Sequence, residues 1–243
     1  MRFTGKSVVI LGGNSGIGLA SAIEFAQEGA RVVITGRSET TLAAAAAEIG
    51  TGAIAVRADT SNLDDLDRLF AQVKEKIGRI DVLFVNSGIG GTVPLMQMTP
   101  AIWDEMQNVN LRGPFFAIQK AVPLMSRGGS IVLTSSIGHL KGLPGNSHYA
   151  AAKAGLRSLA RNLGAELVDS GIRVNCVSPG PIDTPLLERS NMEHMREFIR
   201  ELNPMKRWAH PREAARTVLF LASDDASFIT GADLLVDGGM CNF

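Results

Sequence analysis

A chain of 243 residues that is 45% hydrophobic and 20% charged is long enough to bury one substantial core. Lys plus Arg equals Asp plus Glu at 24 each, so no net charge draws it to nucleic acid or to an anionic membrane surface. No run approaches the roughly 20 apolar residues of a bilayer span, and no segment reads as a secretion signal, so one cytoplasmic domain over residues 1–243 is expected.

The first apolar run is SVVIL at 7–11. GKS at 5–7 overlaps it but is no P-loop, because no glycine precedes it at the required distance. Directly after the run comes GGNSGIG at 12–18, which places Gly12, Gly16 and Gly18 in a tight turn opening a helix. Glycines let a backbone approach a pyrophosphate closely, and a helix N-terminus offers free N–H groups and partial positive charge. A dinucleotide suits that turn.

The second run, RVVIT at 31–35, is followed by Gly36 and Arg37, where an acidic residue would ordinarily bond the adenosine ribose. A guanidinium in that place can take a 2′-phosphate, which favours NADP(H), with NAD(H) the alternative. A solvated arginine opening a helix is the plainer reading of Arg37. The alanines at 43–47 extend that helix by propensity alone.

Further β-branched runs follow at 53–58, 82–86, 130–135, 173–178 and 233–237. Helical spacing of apolar residues marks 63–77 and 154–167. Strands alternating with helices, several apolar at nearly every position, predict an α/β fold: a doubly wound, Rossmann-type, mostly parallel sheet of about seven strands with helices on both faces. The proline-containing stretch from about 181 to 211 breaks the pattern, and residues 185–210 read as a lid over the end of the sheet. Cys176 and Cys241 are the only cysteines and supply neither a disulfide framework nor a metal site, so no metal is expected.

Polar groups able to do chemistry should emerge from the later strands at the same edge. Ser136 lies just past SIVLTS, and SHYAAAKAG at 147–155 carries Tyr149, the only tyrosine, four residues before Lys153. Bringing a phenol from about 10 to about 7 requires roughly 4 kcal/mol in favour of phenolate, and an ammonium at i+4 pushes that way. The pair alone is equally an i, i+4 contact on a helix. His139 and His148 near Ser136 raise a serine hydrolase as the rival, without the G-x-S-x-G elbow that class uses.

Taken together, GGNSGIG at 12–18, ADT at 58–60, NSG at 86–88, NVNLRGPF at 108–115, TSS at 134–136, YAAAK at 149–153, VNCVSPGPIDTP at 174–185 and ITGADLLVDGG at 229–239 resemble the short-chain dehydrogenase/reductase family along nearly the whole chain. That resemblance implies a hydride transfer between NADP(H) or NAD(H) and a small-molecule carbonyl or secondary alcohol. Tyr149 would be the general acid or base, Ser136 the partner of the substrate oxygen, and Lys153 the group that lowers the phenol and holds the nicotinamide ribose. Asn110 would hold a water reaching the lysine.

The resemblance also assigns Asn14, Ser15 and Ile17 to the glycine turn, Asp59 and Thr60 to the adenine, Asn86 and Gly88 to the cofactor backbone, and Pro179, Gly180, Ile182 and Thr184 to the carboxamide loop. It implies a homotetramer or homodimer packed through the helices flanking the fifth strand. Leu11, Val85 and Ser87 depart from the family's usual Thr and Asn-Asn-Ala-Gly residues. The sequence also offers Met96, Met98, Leu140, Leu143, Leu186, Leu187, Met192, Met195, Phe198 and Ile199 as walls for an apolar substrate, or as plain packing. A dinucleotide-binding sensor without turnover is the non-enzymatic alternative.

Overall fold

In a computed structural model that describes residues 1–190 and 192–243, seven parallel strands form one sheet in the order β3-β2-β1-β4-β5-β6-β7. The strands are β1 (Ser7–Leu11), β2 (Arg31–Gly36), β3 (Ile54–Arg57), β4 (Ile80–Val85), β5 (Met125–Thr134), β6 (Arg173–Pro179) and β7 (Asp233–Val236). The first half is crossed by α1 (Gly16–Gln27), α2 (Glu39–Ile49) and α3 (Leu63–Ile77). The second half has α4 (Pro100–Gln107), α5 (Gly113–Ala121), α6 (Ser147–Leu167), α7 (Leu186–Arg189), α8 (Arg196–Leu202) and α9 (Pro211–Ala222).

Side-chain alternation explains why the strand sequences are apolar throughout. Val8 and Ile10 join Val32, Ile34, Val82 and Phe84 on one face, against α1, α2 and α9. Val9 and Leu11 join Val33, Leu83, Val85 and Ile131 on the other, against α3, α5 and α6. Val8 to Leu11 are all fully buried, each contributing about 1.5–3 kcal/mol of burial on an extended-chain reference. Leu11 and Val85, two of the family departures, are register partners across β1 and β4 and so lie inside the core.

Strand ends elsewhere shift by one or two residues, and two departures from the sequence reading are larger. β5 starts five residues early because Met125 pairs with Ile80 before the register shifts to Val82 and Ser130, a pairing set by β4 and unmarked by any β-branched run. The stretch expected to be irregular contains α7, a single turn at Glu193–Met195, and α8. Strand order reverses between β1 and β4, so a crevice opens at their C-terminal ends, where the glycine turn and Asn86–Gly88 emerge.

Candidate active site

A cleft of about 760 Å³ occupies that crevice. Its wall contains Gly12, Asn14, Ser15, Gly16, Ile17, Arg37, Asp59, Thr60, Asn86, Gly88, Ser136, Tyr149, Lys153, Pro179, Gly180, Ile182 and Thr184. Two expected site residues, Gly18 and Asn110, stand behind it. Gly12 takes φ 73°, and a Cβ there would lie 2.8 Å from Ser87 Cα. A Cβ on Gly18 would lie 2.0 Å from the Gly12 carbonyl oxygen, so this glycine packs the helix onto the turn and does not face the cleft.

Above that turn, α1 begins without a capping side chain from Ser15 and without an acidic residue in its first turn. Its leading N–H groups therefore face the crevice without an anionic side chain of their own, unlike α3, whose N-terminus is capped by Asn62. Asn14 braces the turn against α2 by donating to Thr41 Oγ1 at 2.8 Å.

A continuous set of hydrogen bonds connects the glycine turn to Lys153. Asn86 Nδ2 donates to the Gly12 carbonyl at 3.1 Å, Thr134 Oγ1 donates to Asn86 Oδ1 at 3.0 Å, and Lys153 Nζ donates to the Thr134 carbonyl at 2.8 Å. Ser135 Oγ donates to the Lys153 carbonyl at 2.9 Å. Thr134 and Ser135 join this network though sequence reasoning gave them no role of their own, their only signal being their place beside Ser136 in the TSS run. Asn110 lies in a π-helical turn, Asn108–Arg112, between α4 and α5. Its amide accepts from the Ile89 N–H and donates to the Ile89 carbonyl, both at 2.8 Å. A methyl placed on Gly88 would sit 3.0 Å from Asn110 Oδ1 and 3.6 Å from Lys153 Nζ, so these two groups flank the same backbone.

Tyr149 is half-buried in the first turn of α6, with Lys153 Nζ 5.6 Å from its ring centroid. Burial pushes Tyr149 above its usual value, and the hydrogen bond with Ser136 is the group acting in the other direction. Burial also pushes Lys153 down, to about 8, with Cys176 working against that shift. The serine-hydrolase rival fails on geometry. Ser136 Oγ accepts from the Gly138 N–H at 3.0 Å, while His139 Nε2 lies 2.9 Å from Asp233 and His148 is buried.

The Lys153 shift fixes the sign of a stability change. Below about 8 both folded and unfolded chains carry the proton and the cost of burying the charge is fully present. Between about 8 and the usual 10.5 only the unfolded chain keeps it, so this group makes the cofactor-free chain more stable as pH rises through that window. Urea unfolding should show the wild type gaining stability relative to Lys153→Met between pH about 7.5 and about 10. A constant difference would remove the titration from the lysine.

At the end of the cleft beside β2, Arg37 and Ser38 join the wall, and Arg57 Nε donates to the Arg37 carbonyl at 3.1 Å. Arg57 thus brings a second guanidinium to that corner from β3, a neighbour that 20 residues of separation hide in the sequence. Asp59 Oδ1 is occupied by the Ser61 N–H and hydroxyl, at 2.9 and 2.7 Å. The loop at Pro181–Asp183 is pinned to Ala209 by two backbone hydrogen bonds of 3.0 and 2.9 Å.

At the other end, Leu143, Leu186, Leu187, Met192, Met195, Phe198 and Ile199 line the cleft as expected. Met96, Met98 and Leu140 do not; Met96 is 92% exposed on a turn at Leu95–Gln97. Leu202, Trp208 and Met240 take part instead. A methyl on Gly90 would lie 2.7 Å from Ser190 Oγ and 3.6 Å from Leu186, so the segment after β6 closes onto the loop after β4. Among the described residues no group of three His, Cys, Asp or Glu side chains is placed to hold a metal ion, and no helix is long and apolar enough to cross a membrane.

Comparison with known proteins agrees with this geometry. The family model described as "Enoyl-(Acyl carrier protein) reductase" matches residues 12–241. The chain is 42% identical over 241 residues to oxidoreductase asL5 of Sarocladium schorii, covering 98% of this chain and 97% of that protein. It is 40% identical over 245 residues to the 3-oxoacyl-[acyl-carrier-protein] reductase FabG of Thermotoga maritima, covering 99% of both. Its fold superposes on the crystal structure of a levodione reductase with a TM-score of 0.94, at 36% identity and 99% coverage of each chain.

Proposed function

The chain belongs to the short-chain dehydrogenase/reductase family of NAD(P)-dependent oxidoreductases, and we propose that this member uses NADP(H) to reduce the carbonyl of a largely apolar substrate. One observation carries the reading: a single cleft contains the glycine turn, Arg37, and the trio Ser136, Tyr149 and Lys153. The residues present fit a dinucleotide. A Cβ on Gly12 would collide with Ser87, so glycine lets the turn pack tightly against the loop after β4, and the open N-terminus of α1 beside it complements the charge of a pyrophosphate.

In this reading the uncapped N-terminus of α1 and the turn at Gly12–Gly18 hold the pyrophosphate, Arg37 takes the 2′-phosphate, and Asp59 and Thr60 border the adenine. Asn86 and Gly88 support the cofactor backbone, and the Pro179–Thr184 loop faces the carboxamide. Bound there, the nicotinamide supplies the hydride. Tyr149 Oη donates the proton to the carbonyl oxygen, and Ser136 Oγ hydrogen-bonds that same oxygen.

Burial holds the phenol above its usual value, so Tyr149 carries the proton that it donates. Lys153, pushed down to about 8, is still mostly an ammonium at neutral pH and is anchored to Thr134 to hold the ribose hydroxyls. Residues 185–210 serve as the substrate lid of a one-domain enzyme, with the apolar side chains of Leu186, Met195 and Phe198 excluding water from the reacting carbon.

The test pairs binding with turnover. NADPH should raise the melting temperature more than NADH at equal concentration, since a ligand that binds only the folded chain stabilises it by mass action. A panel of apolar ketones and aldehydes should then consume NADPH. Absence of turnover across the panel, with the cofactor bound, would sink the enzymatic reading and leave the sensor.

A further inference from the structure

The carboxylate of Asp233, at the start of β7, gathers donors from three other segments. Ser178 Oγ of β6 donates to Oδ1 at 2.6 Å, and His139 Nε2 lies 2.9 Å from Oδ2. Arg157 Nε of α6 stands 3.4 Å from that same Oδ2, and its Nη1 donates to the Gly231 carbonyl at 3.0 Å. The side chains of His139 and Asp233 are each 9% exposed. A carboxylate accepts only, so the hydrogen bond places a proton on His139 Nε2.

None of these four side chains lines the cleft, yet the segments of His139, Arg157 and Ser178 each bear part of it. Arg157 follows Lys153 by one helical turn, and Ser178 precedes the loop that begins at Pro179. His139 closes the short turn that Ser136 opens. Its N–H donates to the Ser136 carbonyl at 3.2 Å, and the Gly138 N–H donates to Ser136 Oγ at 3.0 Å. That turn rests on the catalytic ring: a methyl on Gly138 would lie 3.3 Å from Tyr149 Cε1 and 3.4 Å from Ser136 Oγ. A displacement of a few tenths of an ångström there changes how Ser136 and Tyr149 converge.

We propose that His139 is a positioning residue: through its hydrogen bond to Asp233 it ties the 136–139 turn to β7 and sets Ser136 Oγ where it shares the substrate oxygen with Tyr149. The assignment rests on the functional reading above and extends it to a residue outside the cleft. Reacting groups misplaced by about 1 Å lose on the order of a hundredfold in rate, and freeing one tether of the turn, a smaller displacement, should lower kcat about tenfold.

The experiment is a double-mutant cycle on His139→Ala and Ser136→Ala, with kcat and KM on an active carbonyl, NADPH affinity by fluorescence titration, and melting temperature. Expected is a fall of about tenfold in kcat for His139→Ala with NADPH affinity within about twofold, and less than about twofold further loss when Ser136 is already alanine. His139→Gln, which retains an N–H for Asp233, should recover most of the rate. If His139→Ala does not fold, Asp233→Ala, which removes the acceptor, completes the same cycle. A purely structural role would lower the melting temperature with kcat unchanged, or multiply the two losses in the double variant, and either result overturns the inference alone. Wild-type protein that turns over no carbonyl overturns the functional reading, and this inference with it.

Discussion

Tyr149→Phe is expected to lower kcat about a thousandfold while NADPH affinity stays within about twofold, because it deletes one proton-donating oxygen and little else. The ring itself is structural. It packs against the turn at Gly138 and stands 5.6 Å from the Lys153 ammonium, and phenylalanine preserves both contacts. Lys153 keeps its own anchor on Thr134, so the support for the cofactor is undisturbed. The loss should therefore fall on kcat and kcat/KM alike, the pattern of an interaction made only in the transition state.

Ser136 provides an internal control for that result. Its hydroxyl shares the substrate oxygen in the proposed arrangement, so Ser136→Ala should slow turnover less than Tyr149→Phe. If Tyr149→Phe turned over at the wild-type rate, the proton would have to come from Ser136, Lys153 or solvent. The raised phenol would then be only a consequence of burial.

The fold was largely legible because its strands are buried on both faces, and runs such as SVVIL announce that by lacking polar alternation. β5 escaped at its start because Met125–Gly129 join the sheet through pairing with β4, a tertiary event with no local signature. Glycines were legible as a turn but not in their separate duties. Gly12 shapes the cleft while Gly18 packs a helix, and only three-dimensional neighbours separate them.

The relay from Gly12 through Asn86 and Thr134 to Lys153 spans four distant segments, so three of its members were expected at the site while the bonds between them, and the part of Thr134, were not. Apolar candidates for the substrate wall split for a similar reason. Met195 and Phe198 face the cleft from beside and within α8, whereas Met96 projects from an exposed turn, and composition alone treats them alike.

Arg37→Asp should reverse the cofactor preference, weakening NADPH by about a hundredfold or more while leaving NADH unchanged or improved. The 2′-phosphate is the only difference between the two ligands at this corner, and a charge-assisted hydrogen bond to it contributes about 1.5–3 kcal/mol, at about 1.4 kcal/mol per tenfold. An aspartate there removes that attraction, adds repulsion toward the phosphate, and offers the ribose hydroxyls an acceptor. Because Arg57 is held on the Arg37 carbonyl, it remains as a second cation, and Arg37→Ala alone should lose less than the aspartate. Salt provides the cross-check: both guanidinia are exposed, so NADPH affinity should fall with ionic strength more steeply than NADH affinity. Equal affinities for the two cofactors in the wild type, or an Arg37→Asp protein that still favours NADPH, would reduce Arg37 to a solvated residue ahead of α2.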